Sequence, residues 1–135
     1  HYDDVIETIL MGMLYGAQVQ TMMPKLHSTN FGGMELIRPM YLIREDSIKA
    51  WRDYNDLHFI QCACRFTENC ATCGGAKGSK RDEMKELVAK FRETSDVIEY
   101  NIFNSVHNVN LRTIIGYHKD GMEYNFLDDY NERGK

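Results

Sequence analysis

The sequence has 135 residues, of which 43% are hydrophobic, and is therefore long enough for one domain with a buried core. Its 20 acidic and 16 basic residues give a net charge of -4, which excludes a uniformly basic nucleic-acid-binding surface, so any contact with RNA must be local. No apolar run approaches the roughly 20 residues that span a bilayer, and the opening residues lack the regions of a signal peptide. These features predict a soluble, cytoplasmic protein with no membrane partner.

The first predicted element is a helix that opens the chain. Apolar residues recur at helical spacing from Val5 to Leu14, and a glycine two positions later is a plausible stop. Asp3, Asp4 and Glu7 suit the positive end of the helix dipole. Because chain termini usually lie outside such elements, and because no initiator methionine is present, we expect a fragment or processed piece of a longer protein.

One strand, three more helices and a polar end follow in chain order. Residues 36–42 indicate a strand that Pro39 interrupts or places at an edge. Helices are predicted over residues 45–57, from residue 80 past residue 91 after a capping Ser79, and from about residue 94 to residues 108–110. Residues 116–135 are polar and are expected to form a loop or a loosely held terminus.

A lone strand would leave its backbone donors and acceptors unpaired. We therefore expect this strand to form the edge of a larger parallel sheet. Its other strands would come from an N-terminal half outside this sequence or from another copy of the chain.

All four cysteines fall in the spacing C-x-C-x5-C-x2-C, formed by Cys62, Cys64, Cys70 and Cys73. Crowding four thiolates into so short a segment is favourable around Zn²⁺ or an iron-sulfur cluster, whereas the alternatives are free thiols or adventitious disulfides. Such close cysteines cannot join distant parts of the chain as the bridges of a secreted protein do. The pattern predicts a metal site in a reducing compartment.

Four stretches of the sequence resemble a known family. Residues 1–8 (H-Y-D-D-V-I-E-T), with the apolar helix that ends in Tyr-Gly, resemble the G-H-H-x-D-D-x-x-E-T signature of the tRNA 2-thiocytidine synthetases, which are PP-loop ATPases. Residues 23–26, 37–40 and 60–62 resemble the family's M-P-P-K-L, I-R-P-L and I-P-C stretches in the same order. The related tRNA lysidine synthetases share the first signature but have Arg-Gly for Tyr-Gly and lack the cysteines, so the thiolating branch is favoured.

The resemblance implies an α/β fold. The chain would be the mostly helical C-terminal portion of a PP-loop, Rossmann-like domain of the adenine-nucleotide alpha-hydrolase type, with one or two strands. Residues 1–116 would carry this part, including the cysteine segment, and residues 117–135 would be a polar tail. The family's S-G-G-x-D-S phosphate loop and its first C-x-x-C pair do not occur here, so the chain alone is expected to be inactive.

The implied reaction is thiolation of a tRNA cytidine. The family adenylates the tRNA cytidine with ATP and Mg²⁺, and a sulfur then displaces AMP. The implied partners are tRNA, ATP, a cysteine desulfurase as sulfur donor, and a second copy of the chain in a homodimer.

Several residues are candidates for this chemistry. The resemblance assigns His1, Asp3, Asp4, Glu7 and Thr8 to the nucleotide and its metal, and hard oxygen ligands suit Mg²⁺. Arg38 is a candidate phosphate ligand, and Asp4 and Cys62 are the candidate catalytic residues. The alternative is that the carboxylates only complement the helix dipole and that Arg38 is an ordinary surface arginine.

The metal and the basic residues leave alternatives open. In the parent family Cys62 would join the missing pair around a [4Fe-4S] cluster, whereas the four cysteines of this chain would form a closed Zn²⁺ site. Lys77, Lys80 and Arg81 either meet the tRNA backbone or are a solvated helix start. Two other functions remain possible on these grounds: a non-catalytic zinc-binding interaction module, and a PP-loop ATPase acting on another nucleobase.

Overall fold

The computed structural model describes residues 1–59, 80–128 and 130, and this part of the chain has a mixed α/β structure with few short strands. Its helices are α1 (Tyr2–Gly16), α2 (Glu45–Tyr54), α3 (Lys80–Thr94) and α4 (Ile98–Ser105), with a short 3-10 turn at Leu111–Thr113. Its strands are β1 (Lys25–His27), β2 (Glu35–Ile37), β3 (Gly116–Lys119) and β4 (Met122–Asn125). The α/β class is confirmed, and the Rossmann-like architecture stays a prediction.

Helix α1 lies at the centre of the hydrophobic core. Its residues Val5, Ile6 and Ile9 are completely buried and pack against Met84 of α3 and Phe103 of α4, with other apolar residues around them. Fully burying one such side chain contributes about 1.5–3 kcal/mol, so this face of α1 holds the three helices together. The apolar periodicity of the opening helix is thus confirmed as a core-facing stripe.

Helix α1 ends at Gly16, the glycine that the sequence indicated as a stop. Ala17 adopts the left-handed conformation with φ of 51°, and its backbone N–H donates to the carbonyl of Gly12. The N–H of Gln18 donates to the same carbonyl at 2.9 Å, which folds the chain back over the last turn. A Cβ atom on Gly12 would lie 2.9 Å from the carbonyl oxygen of Gln18, so this close return of the backbone requires glycine.

The strand expected over residues 36–42 is shorter and is paired differently. β2 ends at Ile37 and pairs antiparallel with β1, with Lys25 opposite Ile37 and Leu26 opposite Leu36. The expectation of one unpaired edge strand of a parallel sheet is therefore wrong for the described residues. Pro39 has no N–H for a ladder, and the chain turns after β2 through bonds such as Tyr41 N–H to the carbonyl of Arg38 at 3.1 Å.

The polar end of the sequence contains a second hairpin, so the expectation of a loop is wrong for residues 116–125. β3 and β4 pair antiparallel around Asp120 and Gly121, which have φ of 53° and 77°. An Asp-Gly pair with positive φ at both positions is typical of a two-residue hairpin turn. The rings of Tyr117 and Tyr124 stack across the pair with centroids 4.8 Å apart. The division of the chain into residues 1–116 and 117–135 stays a prediction.

The three later helices are confirmed, although α2 and α4 are shorter than expected. Helix α2 stops at Tyr54 and none of its residues is buried, whereas α3 and α4 both contribute to the core. No helix in the described part of the chain combines the length and apolar character needed to cross a membrane.

Candidate functional site at the start of helix α1

The side chain of His1 caps α1 and contacts Asp4. Its Nδ1 atom accepts a hydrogen bond from the backbone N–H of Asp4 at 3.2 Å, and its Nε2 atom lies 3.1 Å from an oxygen of the Asp4 carboxylate. A neutral imidazole with its proton on Nε2 satisfies both contacts, because Nδ1 is then the acceptor and Nε2 the donor. His1 therefore holds both the backbone and the carboxylate of Asp4.

Asp3 is buried and connects α1 to two other helices. One carboxylate oxygen accepts the backbone N–H of Glu45 at 2.7 Å, which caps the first turn of α2, where Arg44 makes no side-chain cap. The other oxygen accepts a hydrogen bond from the guanidinium of Arg92 on α3. Burial raises the pKa of Asp3, but the bonds from Glu45 and Arg92 together outweigh it and hold that pKa below its ordinary value.

Glu99 is a buried carboxylate that pairs with two arginines. It is only 2% exposed, and its oxygens lie 2.7 Å from Nε of Arg92 and 2.8 Å from a terminal nitrogen of Arg44. Arg92 therefore bridges Asp3 and Glu99, while the guanidinium of Arg44 also lies 5.2 Å from the ring centroid of Tyr2. This network ties α4 and α3 to the beginnings of α1 and α2.

Asp4 and Glu7 share one arginine. Nε of Arg81 donates to Glu7 at 2.9 Å, and a terminal nitrogen of the same guanidinium donates to Asp4. The Glu7 side chain is 4% exposed and that of Asp4 is 28% exposed. Burial raises the pKa of Glu7, although the bond from Arg81 opposes this effect. Of the acidic residues that open α1, Asp4 is thus the one with appreciable access to solvent.

The hydroxyl of Thr8 donates to the backbone carbonyl of Asp4 at 2.7 Å, a contact made within α1. Among the described residues, no three His, Cys, Asp or Glu side chains are arranged to hold a metal ion. Mg²⁺ bound with a nucleotide needs only one or two protein carboxylates, because phosphates and water supply its other ligands. Asp4 fits that requirement, whereas Asp3 and Glu7 are engaged in buried ion pairs.

Arg38 holds the loop before β1. Its guanidinium donates to the carbonyl of Met23, and its backbone N–H donates to the carbonyl of Pro24 at 2.9 Å. The hydroxyl of the buried Tyr41 donates to the carbonyl of Met22 at 2.8 Å. The stretches at residues 23–26 and 37–40, which carry part of the resemblance, therefore bind each other.

The cysteine segment lies outside the described residues. This applies to Cys62, Cys64, Cys70 and Cys73, to Lys77, and to the resemblance at residues 60–62, so the metal site stays a prediction. Lys80 lies within the described part and has its ammonium 4.6 Å from the ring centroid of Tyr15. Because Arg81 also contacts α1, these two members of the predicted basic cluster are engaged within the protein.

Sequence reasoning missed the basic partners of the acidic residues and the buried Glu99. A signal for Glu99 was present, since it precedes Phe103 by four positions and Ile102 by three and so lies on the apolar face of α4. An acidic residue on such a face needs a buried partner. No comparable local signal connected Arg81 or Arg92 with the start of α1, because their partners on that helix are 74 to 89 positions away.

Comparison with known proteins gives a consistent set of relatives. The tRNA-cytidine(32) 2-sulfurtransferase of Burkholderia multivorans is 30% identical over 109 residues, which make up 81% of this chain and 30% of that protein. Two tRNA-cytidine(32) 2-sulfurtransferases of Francisella philomiragia and Francisella tularensis are 32% and 31% identical over 109 residues, or 39% and 40% of their lengths. The chain therefore spans between 30% and 40% of the length of these relatives.

No protein-family model and no solved structure matches the chain. The agreement with the curated relatives nevertheless extends over four fifths of the chain, well beyond the short stretches that first indicated a resemblance. The chain is therefore homologous to part of the tRNA-cytidine(32) 2-sulfurtransferases, which confirms the resemblance to the tRNA-thiolating family.

Proposed function

We propose that this chain is part of an ATP-dependent enzyme that thiolates a cytidine in tRNA. The observation that carries the proposal is the similarity to tRNA-cytidine(32) 2-sulfurtransferases over 81% of the chain. In the proposed reaction the cytidine O2 attacks the α-phosphorus of ATP and pyrophosphate leaves. A sulfur nucleophile then adds to C2, and the original oxygen departs with AMP. Activation is needed because oxide itself is a poor leaving group.

Asp4 is the residue of α1 that we assign to the nucleotide. Its carboxylate is partly exposed at the beginning of a helix, while His1 and Arg81 hold its two oxygens. Mg²⁺, when bound with ATP, would supply charge neutralisation at the phosphates. Asp3 and Glu7 support this arrangement from buried ion pairs, and Thr8 contributes a bond inside the helix.

The thiols are assigned to the sulfur-transfer step. Cys62 would act in that step, with a [4Fe-4S] cluster completed by the family's other cysteine pair or with Zn²⁺ held by all four cysteines of this chain. A cysteine desulfurase would supply the sulfur. The enzyme would work in the cytoplasm as a homodimer, and Arg38 would act through the loop that it holds or by binding a phosphate.

A second candidate is a non-catalytic zinc-binding interaction module. The spacing of the four cysteines favours it, because a closed tetrahedral site needs no nucleotide. The coding sequence upstream of His1 separates the two functions. A phosphate loop roughly a hundred residues upstream supports the enzyme, by analogy with the family, and a start codon immediately before His1 supports the module.

The activity is tested in cells. A strain that lacks the gene should have tRNA without 2-thiocytidine, measured by mass spectrometry of its nucleosides, and the complete wild-type gene should restore the modification. Asp4→Ala should fail to restore it at an equal protein level. Asp46→Ala is the matched control, because Asp46 is an exposed carboxylate in the first turn of α2.

Two results would count against these assignments. Unchanged 2-thiocytidine in the strain that lacks the gene would refute the function. Full restoration by Asp4→Ala would refute the role of Asp4 and leave the function standing.

A further inference from the structure

Arg81 joins an exposed carboxylate to a buried one. Its Nε bonds to Glu7, whose side chain is 4% exposed, and a terminal nitrogen bonds to Asp4, whose side chain is 28% exposed. The guanidinium is planar and its N–H groups have fixed directions, so two bonds of this kind fix its orientation. The position of Glu7 in the core therefore sets the position of the guanidinium, and the guanidinium in turn sets that of Asp4.

The first turn of α3 is itself held against α1. The hydroxyl of Tyr15 donates to the carboxylate of Glu83, and the ammonium of Lys80 lies 4.6 Å from the Tyr15 ring centroid. Farther along α3, Met84 and Val88 are buried in the core against α1. Arg81 therefore projects from a supported helix rather than from a free loop, as a residue that orients another side chain must.

We propose that Arg81 is a positioning residue for Asp4, an inference that rests on the function proposed above. One oxygen of Asp4 bonds to Arg81 and the other lies 3.1 Å from Nε2 of His1, so the carboxylate is held from both sides. A carboxylate held in this way would bind the metal of a nucleotide without first losing rotational freedom. The positive charge of the guanidinium also offsets the negative charges of the two carboxylates, which would otherwise repel an anionic Mg-ATP complex.

A purely structural role and a purely electrostatic role are the alternatives. Arg81 could serve only to neutralise the buried Glu7, or only to add a positive charge near the nucleotide. Lysine separates these possibilities from positioning. Arg81→Lys retains a positive charge beside Glu7, but an ammonium lacks the planar fork that bonds to Glu7 and Asp4 at once.

The experiment measures two quantities on the complete gene product: the dissociation constant for Mg-ATP by calorimetry and the urea midpoint of unfolding. Arg81→Lys should keep the midpoint near the wild-type value and weaken Mg-ATP binding about 10- to 100-fold, as the loss of groups that orient metal ligands does. Arg81→Gln should weaken binding at least as much and also lower the midpoint. Arg52→Lys is the control, because Arg52 pairs with its neighbour Asp53 on α2 and should change neither quantity.

The outcomes separate this inference from the proposed function. Wild-type affinity in Arg81→Lys overturns the positioning role, whether or not Arg81→Gln is destabilised. Asp4→Asn is measured in parallel. If it leaves Mg-ATP affinity unchanged, the assignment of Asp4 to the nucleotide fails and the positioning role fails with it. If Asp4→Asn weakens binding and Arg81→Lys does not, only the positioning role is wrong.

Discussion

Replacing Glu99 by glutamine should destabilise the protein by about 2 kcal/mol. The substitution keeps the size of the side chain but removes the charge that faces Arg92 and Arg44 at 2.7 and 2.8 Å. Hydrogen bonds to charged groups contribute about 1.5–3 kcal/mol each. The two arginine side chains are 38% and 46% exposed, so water compensates part of the loss. The amide oxygen of glutamine can also keep one acceptor contact, so the expected loss of stability is close to that of one hydrogen bond to a charged group.

The assay is urea unfolding of wild type and variant. With a slope of about 2 kcal/mol per molar urea, the midpoint should fall by roughly 1 M. Glu93→Gln is the matched control, because Glu93 is an exposed carboxylate near the end of α3, and such changes usually stay within about 0.5 kcal/mol. Equal midpoints for the two variants would show that the paired network around Glu99 contributes nothing measurable to stability.

Three further predictions concern the glycine at the end of α1, the acid limb of stability and the thiols. Gly12→Ala should cost about 1–3 kcal/mol because its Cβ would meet the backbone oxygen of Gln18 at 2.9 Å. Gly32→Ala, with no atom within 4 Å, should stay within about 0.5 kcal/mol in the same urea assay, and equal costs would contradict the steric argument. The pKa of Asp3 is lowered in the folded protein, so its carboxylate adds stability above the ordinary pKa of about 3.9, and this stability is lost as the pH falls through the folded pKa. Asp3→Asn should therefore make the free energy of unfolding fall less steeply below about pH 4. If the variant loses stability below about pH 4 as steeply as the wild type, Asp3 is not the source of that loss. Metal analysis should find about one zinc per chain in both the anaerobic and the aerobic preparation if the four cysteines form a closed site. Iron that is present in the anaerobic preparation and lost in air would indicate a cluster. The absence of metal from both preparations would refute both kinds of site.

Local pattern was enough to predict the helices and the core face of α1. The spacing of Val5, Ile6 and Ile9 placed them on one side of a helix, and all three are completely buried. The strands were harder, because β1 and β2 have three residues each and their pairing depends on a return of the chain. The hairpin at residues 116–125 carried an Asp-Gly signal, but the polar composition around it favoured a loop.

The candidate site shows the same division between local and distant information. Asp3, Asp4 and Glu7 were selected because acidic residues suit a helix start and match a family signature. The sequence did not predict that two of them would be buried, since their burial depends on guanidinium groups from a helix more than 70 positions away. An isolated carboxylate would not be buried without such partners. Prediction from sequence therefore identified the acidic residues but not their different exposure, since Asp3 and Glu7 are buried whereas Asp4 is partly exposed.

The described stretches that carry the family resemblance form one hydrogen-bonded unit. The backbone N–H of Tyr2 donates to the carbonyl of Ile43 at 2.9 Å, and the carboxylate of Asp3 accepts the N–H of Glu45 at the start of α2. The start of α1 therefore binds the chain shortly after the turn at Pro39. That turn in turn binds the loop before β1 through Arg38. Such a unit requires these stretches to keep their order and spacing, because the hairpin of β1 and β2 must return the chain to α1. Most of the resemblance in this region therefore reflects a scaffold, and the partly exposed Asp4 is the residue of that scaffold that we propose for the chemistry.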